Sequence, residues 1–236
     1  MRSTALAFAL ALAALAPCAS GAASASGAAD ATILGRYLRG LTSLRADFTQ
    51  QVTDAHGTVV DSGSGSLALL RPAHFRWDYR PAAQADAGQG GAAAGAPDQQ
   101  SGELLVADGR NLWYYDRELA QVTVKPLQAN QAAQPIMLLT GSSAQLERDF
   151  EVMADGSREG LSWVLVKPRS EQAGFSDARL GFRGETLMRM VFHDMVGQTV
   201  RLDFSHSERN ARIDAAAFEF KVPPGVDLIG KPLPDR

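Results

Sequence analysis

The sequence has few of the side chains that stabilise small exported proteins or bind nucleic acids. Among its 236 residues there is one cysteine, Cys18, and it lies close to the N-terminus. A chain processed after that position has no disulfide, so burial of apolar side chains must stabilise its fold. The formal net charge is −3, whereas nucleic-acid-binding proteins usually carry an excess of positive charge, so we expect no nucleic-acid partner.

Long hydrophobic runs are absent too. The longest run, residues 5–16, has about a dozen apolar residues, whereas a membrane-spanning helix needs about 20. It follows Arg2 and precedes a stretch of small residues, which is the pattern of a cleaved secretory signal peptide. We therefore predict a signal peptide at 1–23 and one exported domain at 24–236. Because Pro17 precedes Cys18, we interpret Cys18 as part of the leader rather than as a lipidated N-terminus.

The motifs of common enzyme classes are missing. The sequence has no Gly-x-Ser-x-Gly nucleophile motif, no glycine-rich phosphate loop and no His-x-x-x-His pair. His193 and Asp194 are candidates for an acid–base pair or a metal site, but a histidine in such a position more often lies on a solvated surface. The residues therefore offer no clear constellation for catalysis, a metal or a cofactor. A secreted lipid hydrolase that uses these two residues is the less favoured alternative.

Aromatic side chains are scarce, at 7% of the residues, but their spacing is informative. Phe75, Trp77 and Tyr79 alternate with charged residues, so one side of an extended strand carries three rings. The same period of two continues along most of the chain after Phe48 and indicates a largely antiparallel sheet that is long enough to curl. The predicted strands are 47–53, 58–70, 74–80, 103–107, 111–115, 120–125, 149–154, 161–167, 178–183, 187–193, 199–205 and 217–222.

The strand pattern leaves two arrangements of the rings open. Trp113, Trp163 and Phe182 recur at strand-like spacing among leucines and valines. In a β-sandwich these rings would form the core between two sheets. In a single curved sheet they would line a concave face that helices cover.

Two segments predict short helices. Residues 31–45 place Leu34, Leu38 and Leu41 on one apolar stripe of a helix. In the second segment, residues 135–149, Pro135 suits a first helical position and Gly141 suits a helix stop. Four consecutive large apolar residues lie between them, and they cannot all face one way: Ile136, Met137, Leu138 and Leu139.

The second segment also contains the start of another helix, because Ser142 and Gln145 have the spacing of a capping box. By contrast, residues 82–102 contain no apolar side chain larger than alanine. Such a segment cannot offset its ordering entropy by burial, and we predict a disordered loop between two strands of one domain.

Several motifs, in this order, resemble the periplasmic outer-membrane lipoprotein carrier family, LolA. They cover most of the chain after the predicted leader and include LTSLRADFTQQVTD at 41–54, LALLRPAHFRWDY at 67–79, ELLVADGRNLWYYDRELAQVTV at 103–124, PIMLLTG at 135–141, DARLGF at 177–182 and FEFKVPPGVDLI at 218–229. The segment 82–102 departs from the family, whose members usually turn directly there.

The resemblance implies a mainly β fold in which an unclosed antiparallel β-barrel of about 11 strands surrounds a hydrophobic cavity, with short helices as a lid. It implies a monomeric periplasmic chaperone without enzymatic activity, and we accordingly predict no catalytic residues, no metal and no cofactor. Such a carrier takes triacylated lipoproteins from an inner-membrane ABC transporter and passes them to an outer-membrane receptor.

The resemblance also assigns roles to residues. The family's lid-latching arginine corresponds to Arg71, whose five donors suit the carbonyls at helix ends. The residues expected to line the acyl cavity are Leu34, Leu38, Leu41, Phe75, Trp77, Trp113, Ile136, Met137, Leu138 and Leu139.

Two further alternatives remain. A membrane-anchored receptor of the LolB type has a similar open barrel but requires a lipidated Cys18. A membrane-spanning β-barrel is disfavoured, because charged residues such as Arg76, Asp78, Arg201 and Asp203 would face lipid if the apolar sides point inward.

Overall fold

The computed structural model of the protein describes residues 32–82, 101–127, 138–170 and 173–234. The predicted signal peptide lies outside these ranges, as do residues 83–100 of the predicted loop. Within the described ranges, no helix has the length and apolar character needed to cross a membrane.

One sheet of twelve strands forms the body of the protein. The strands are β1 Ser43–Thr53, β2 Val59–Leu70, β3 His74–Pro81, β4 Glu103–Asp108, β5 Asn111–Asp116, β6 Gln121–Pro126, β7 Phe150–Arg158, β8 Leu161–Pro168, β9 Phe175–Arg183, β10 Thr186–Asp194, β11 Thr199–Arg209 and β12 Asp227–Ile229. Their order across the sheet is β12-β6-β5-β4-β3-β2-β1-β11-β10-β9-β8-β7. Among the described residues β7 and β12 do not pair with each other, so the sheet is unclosed.

The predicted fold class is confirmed. A single sheet replaces the sandwich alternative, and its neighbouring strands are antiparallel apart from β12, which pairs in parallel with β6. This short strand near the C-terminus raises the number of strands above the expected eleven. The sequence pattern did not predict it, because all three of its side chains are exposed and give no alternation.

Among the described residues, two short α-helices and a 3₁₀ turn accompany the sheet: α1 Ile33–Arg39, α2 Ser143–Asp149 and the 3₁₀ turn Ala215–Phe218. Residues 138–139 are 3₁₀ as well. The first helix is shorter than the predicted 31–45, because Gly40 caps it and strand β1 begins three residues later. The predicted capping box of α2 is confirmed. The Ser142 hydroxyl accepts a hydrogen bond from the Gln145 amide at 3.1 Å, and the Gln145 side chain accepts one from the Ser142 amide at 2.9 Å.

The sheet separates two apolar clusters. The main cluster lies on the helix-covered face and combines α1, residues 138–139 and the inward side chains of β1 to β5 and β7 to β11. The second cluster lies on the opposite face of β4 to β6 and consists of Leu104, Val106, Trp113, Val122 and Val124, against which Tyr115, Phe220, Val222 and Val226 pack. Because β4 is covered on both faces, its sequence is a continuous apolar run and does not alternate between apolar and polar residues.

One predicted strand is wrong. Residues 217–222 form no strand, because the Asp214 side chain caps a 3₁₀ turn and the alternating Phe220 and Val222 pack on the second cluster without joining the ladder. Gly156 lies in a bulge within β7 with φ of 71°, and the chain reverses between Arg158 and Leu161.

Candidate functional site

Arg71 lies in the turn between β2 and β3, beside the carboxyl end of α1. Its backbone amide donates to the carbonyl of Thr42 at 2.9 Å, which fixes the turn against the start of β1. Its guanidinium donates to three further carbonyls, those of Leu38, Leu41 and Gly141, with a distance of 3.0 Å to Leu41. One side chain therefore joins the end of α1 to the segment that precedes α2.

Of the three carbonyl groups that Arg71 binds, that of Leu38 lies in the last turn of α1, where it also accepts the amides of Gly40 and Leu41. The carbonyls of a helix's last turn carry its partial negative charge and attract a cationic donor. The other two acceptors, Leu41 and Gly141, lie outside the helices. Burial lowers the pKa of the Arg71 guanidinium from its ordinary value, but an arginine keeps its charge in a protein. A charged donor bound to three main-chain acceptors is a strong link between elements that are distant in sequence.

Most of the predicted lining residues lie together. The structure places seven of them in or against the main cluster: Leu34, Leu38, Leu41, Phe75, Trp77, Leu138 and Leu139. Leu34 and Leu38 have no exposed area, so α1 turns its apolar stripe fully onto the sheet. Ile136 and Met137 lie outside the described residues.

Trp113 is not with them and is a correction to the predicted lining. It belongs to the second cluster, on the other face of the sheet, where its ring lies 5.3 Å from that of Phe220. Its neighbours Leu112 and Tyr114 pack against the main cluster instead. The physical reason is that β5 has apolar side chains on both faces. Alternation along the strand shows that Trp113 and Tyr114 point to opposite faces, but it does not indicate which of these faces the helices cover.

Phe48 is a contact that the sequence reading missed. Its ring stacks on that of Trp77 with the centroids 3.6 Å apart, although the two residues lie on strands separated by β2. The strand between them has a glycine at the crossing point, and a Cβ on Gly65 would lie 2.5 Å from the Phe48 ring. The signal was present in the alternation of serine and glycine at 62–66, since a glycine opposite aromatic residues allows a ring to cover the strand.

A polar group of residues bounds the apolar region. Tyr79 donates its hydroxyl proton to the Asp61 carboxylate at 2.6 Å. Burial, followed by the hydrogen bond to Asp61, raises the pKa of Tyr79. Burial and a hydrogen bond to Glu103 likewise raise the pKa of Tyr114. The inward face therefore changes from apolar side chains near Phe75 to polar ones beyond Tyr79.

The residues of the hydrolase alternative are not arranged for catalysis. His193 Nδ1 lies 3.1 Å from the carboxylate of Asp177, which also binds Arg179. The Asp194 carboxylate instead accepts the backbone amides of Val196 and Gln198, at 2.9 and 2.8 Å, and so closes a hairpin turn. In the part of the chain that the structure describes, no group of His, Cys, Asp and Glu side chains is arranged to hold a metal ion.

Comparison with known proteins finds similarity to one family of carrier proteins. The model of the family described as outer membrane lipoprotein carrier protein LolA matches residues 39–85 and 94–221. A protein of Methylobacillus flagellatus named outer-membrane lipoprotein carrier protein is 34% identical over 83% of this chain and 86% of its own. One of the same name from Methylibium petroleiphilum is 38% identical over 79% and 82%. A solved LolA superfamily protein from Nitrosomonas europaea is 10% identical with a TM-score of 0.42, covering 80% of this chain and 96% of that one.

Proposed function

Because the chain belongs to the outer membrane lipoprotein carrier protein LolA family, we infer that it is a carrier of outer-membrane lipoproteins and not an enzyme. The observation that carries this inference is the family match over most of the described chain. The unclosed sheet with two short helices on one apolar face agrees with it.

We propose that the acyl chains of the cargo occupy the space between the helices and the main cluster. Burying one methylene contributes about 0.8 kcal/mol, so three acyl chains would gain on the order of 30 kcal/mol gross. The side chains in this region are already almost fully buried against one another. Entry of the cargo therefore requires part of this cover to move and expose apolar surface, and the cost of that step offsets part of the gain.

Arg71 is proposed as the latch that sets this cost. A hydrogen bond to a charged group contributes about 1.5–3 kcal/mol, and Arg71 makes three such bonds to the segments on either side. Binding of acyl chains would break them, and release of the cargo would restore them. A carrier needs this balance, because non-covalent affinity above about 20 kcal/mol is effectively irreversible.

The route is also a proposal. The leader-like segment 1–23 supports export to the periplasm, where a monomer would receive its cargo from an inner-membrane ABC transporter and pass it to an outer-membrane receptor. A receptor of the LolB type would need a lipid on Cys18. Mass spectrometry of the processed protein tests this point, and an unmodified N-terminus beyond residue 18 would support the carrier.

Lipoprotein release from membranes is the direct test of the function. Purified processed protein is added to inner-membrane vesicles or spheroplasts that contain a triacylated lipoprotein. We expect a soluble one-to-one complex to appear in the supernatant. A cargo whose lipidated cysteine is replaced, and which therefore carries no acyl chains, is the control and should form no complex. Absence of a complex with the acylated cargo would contradict the carrier function.

A further inference from the structure

Two residues at the end of β11 hold the same end of α1 that Arg71 binds, but at different carbonyls. Arg209 donates through Nη2 to the carbonyl of Tyr37 at 3.1 Å. Asn210 donates through Nδ2 to the carbonyl of Gly40 at 2.9 Å. Its Oδ1 accepts the backbone amide and the hydroxyl of Thr42, at 2.9 and 3.1 Å. These bonds do not involve Arg71.

Arg209 is positioned by contacts on several sides. Its guanidinium lies 5.1 Å from the centroid of the Tyr37 ring and pairs with Glu185 at 3.1 Å. The Tyr37 ring in turn meets the edge of Phe182 with the centroids 5.4 Å apart. Burial raises the pKa of Tyr37 to about 12, an effect that the Arg209 charge partly opposes. The backbone at Gly40 leaves room for the guanidinium, since a Cβ there would lie 2.4 Å from Nη2.

Asn210 is fixed through its backbone. Its amide donates to the carbonyl of Ser43 at 2.7 Å, and the Ser43 hydroxyl donates to the carbonyl of Ala211 at 2.5 Å. Asn210 has a positive φ of 60°, in the left-handed region that asparagine tolerates better than most residues. The carboxamide is therefore presented to the Gly40–Thr42 segment by a backbone that directly continues the pairing of β1 with β11.

We propose that Arg209 and Asn210 are positioning residues that keep α1 attached to β11 when Arg71 is released, so that the lid opens at residues 138–142 and not at α1. This rests on the proposed latch role of Arg71. Its third acceptor, Gly141, belongs to the moving segment, whereas its other two belong to a helix end with separate attachments. The apolar stripe of α1, with Leu34 and Leu38, then serves as a fixed wall of the acyl site, and the cargo enters from the side of α2.

Hydrogen exchange measured by mass spectrometry on the cargo-free protein tests this order of opening. In Arg71→Leu we expect exchange at 138–142 to accelerate at least about tenfold, while exchange in α1 stays within about twofold of the wild type. In Arg209→Leu and in Asn210→Ala, exchange in α1 should accelerate with Arg71 still present. Arg212→Leu makes the same chemical change at a neighbouring exposed position and should alter neither segment.

A gentler variant guards against misfolding. Gly40→Ala keeps every polar side chain, and its backbone φ of −95° is accessible to alanine. The added methyl displaces only the flexible end of Arg209, so the variant should fold and show faster exchange in α1. The proposal is overturned if α1 exchanges as fast as 138–142 in Arg71→Leu, or if Gly40→Ala and Arg209→Leu leave α1 unchanged. Lipoprotein release from vesicles is measured in parallel. If the wild-type protein releases no lipoprotein, that result contradicts the carrier function and not the order of opening.

Discussion

Arg71 and Gly141 are joined by a hydrogen bond from guanidinium to carbonyl although 70 positions separate them in the sequence. The same side chain holds the carbonyls of Leu38 and Leu41, which lie on the other side of it. Its removal leaves three main-chain acceptors without their charged donor and disconnects two segments that cover the main cluster. In the proposed carrier function this link is the latch, and it is local enough to break without unfolding the sheet.

Arg71→Leu is therefore expected to separate binding from transfer. The variant should still take up lipoprotein, because the apolar surface that binds acyl chains is unchanged. It should pass the cargo to the receptor at least about tenfold more slowly, since closing the lid no longer returns the free energy of about 1.5–3 kcal/mol for each charged hydrogen bond. Transfer is measured with purified loaded carrier and membranes that contain the receptor.

Arg76→Leu is the matched control for this experiment. Arg76 lies on β3 and its neighbours Phe75 and Trp77 point to the main cluster, so its own side chain points to the other face. The control should transfer at the wild-type rate. Wild-type transfer by Arg71→Leu itself would remove the latch from the mechanism.

A second prediction concerns the crossing of Phe48 and Trp77 over β2. An alanine at 65 would place its Cβ 2.1 Å from the Asp78 carbonyl and 2.5 Å from the Phe48 ring, and the backbone carbonyl cannot move away cheaply. Overpacking of this kind costs about 1–3 kcal/mol, so Gly65→Ala should lower the free energy of unfolding by about that amount. Urea unfolding followed by fluorescence measures it. Ser64→Ala, at the adjacent exposed position, should change the midpoint little, and equal midpoints for the two variants would contradict the close approach.

A third prediction concerns pH and Asp108, which accepts the Trp113 indole proton at 2.7 Å and the amides of Arg110 and Asn111. Burial acts to raise the pKa of Asp108, but these hydrogen bonds outweigh it and the pKa is lowered. A lowered pKa in the folded state means that the ionised carboxylate stabilises the protein above the unfolded value of about 3.9, and that this contribution disappears as the pH falls through the folded value.

Asp108→Asn tests the sign of this effect. In this variant an NH2 group replaces one of the two carboxylate oxygens, both of which accept hydrogen bonds in the wild type. In either orientation of the amide the NH2 group faces a hydrogen-bond donor, so the variant should be about 1.5–3 kcal/mol less stable at pH 7. The difference from wild type should persist at pH 5 and shrink as the pH falls below about 4, because the carboxylate then takes up a proton first in the unfolded chain and, at lower pH, in the folded protein. Urea unfolding at several pH values measures the difference, with Asp227→Asn on the exposed strand β12 as the control. A difference that grows on acidification would contradict the lowered pKa.

Local signals in the sequence predicted much of this fold. Period-two alternation located most strands, and the spacing of Ser142 and Gln145 located the start of α2, because both depend on neighbours within a few residues. The alternation of Phe75 and Trp77 also placed them correctly on one face. Trp113 was misplaced because a strand that is covered on both faces does not indicate which covering layer each side meets.

Long-range partners explain what sequence reading missed. Arg209 binds the carbonyl of Tyr37 across 172 positions, and Asn210 binds that of Gly40 across 170. Main-chain carbonyls are present at every residue, so no residue type marks the acceptor in the sequence. Only the pairing of β1 with β11 brings these groups together.

The last prediction uses the three tryptophans as position markers for the acyl site. Trp77 packs against the main cluster, whereas Trp113 belongs to the second cluster. Trp163 lies on β8, where it pairs with Gly181 of β9. The next residue, Val164, belongs to the main cluster, and because successive side chains of a strand point to opposite faces, the Trp163 ring lies on the other face. A fatty acid brominated along its chain quenches indole fluorescence at contact. If acyl chains occupy the helix-covered face, the brominated acid should quench Trp77 selectively.

Single substitutions assign the quenched signal. In Trp77→Phe the quenching should be largely lost while the affinity for an unbrominated fluorescent acyl probe falls little, because a phenyl ring keeps most of the apolar contact. Trp113→Phe and Trp163→Phe should keep the quenching, since neither ring faces the site. Quenching that survives in Trp77→Phe and disappears in Trp113→Phe would place the acyl chains at the second cluster, on the face opposite the helices. The helices could not then be the lid over the cargo.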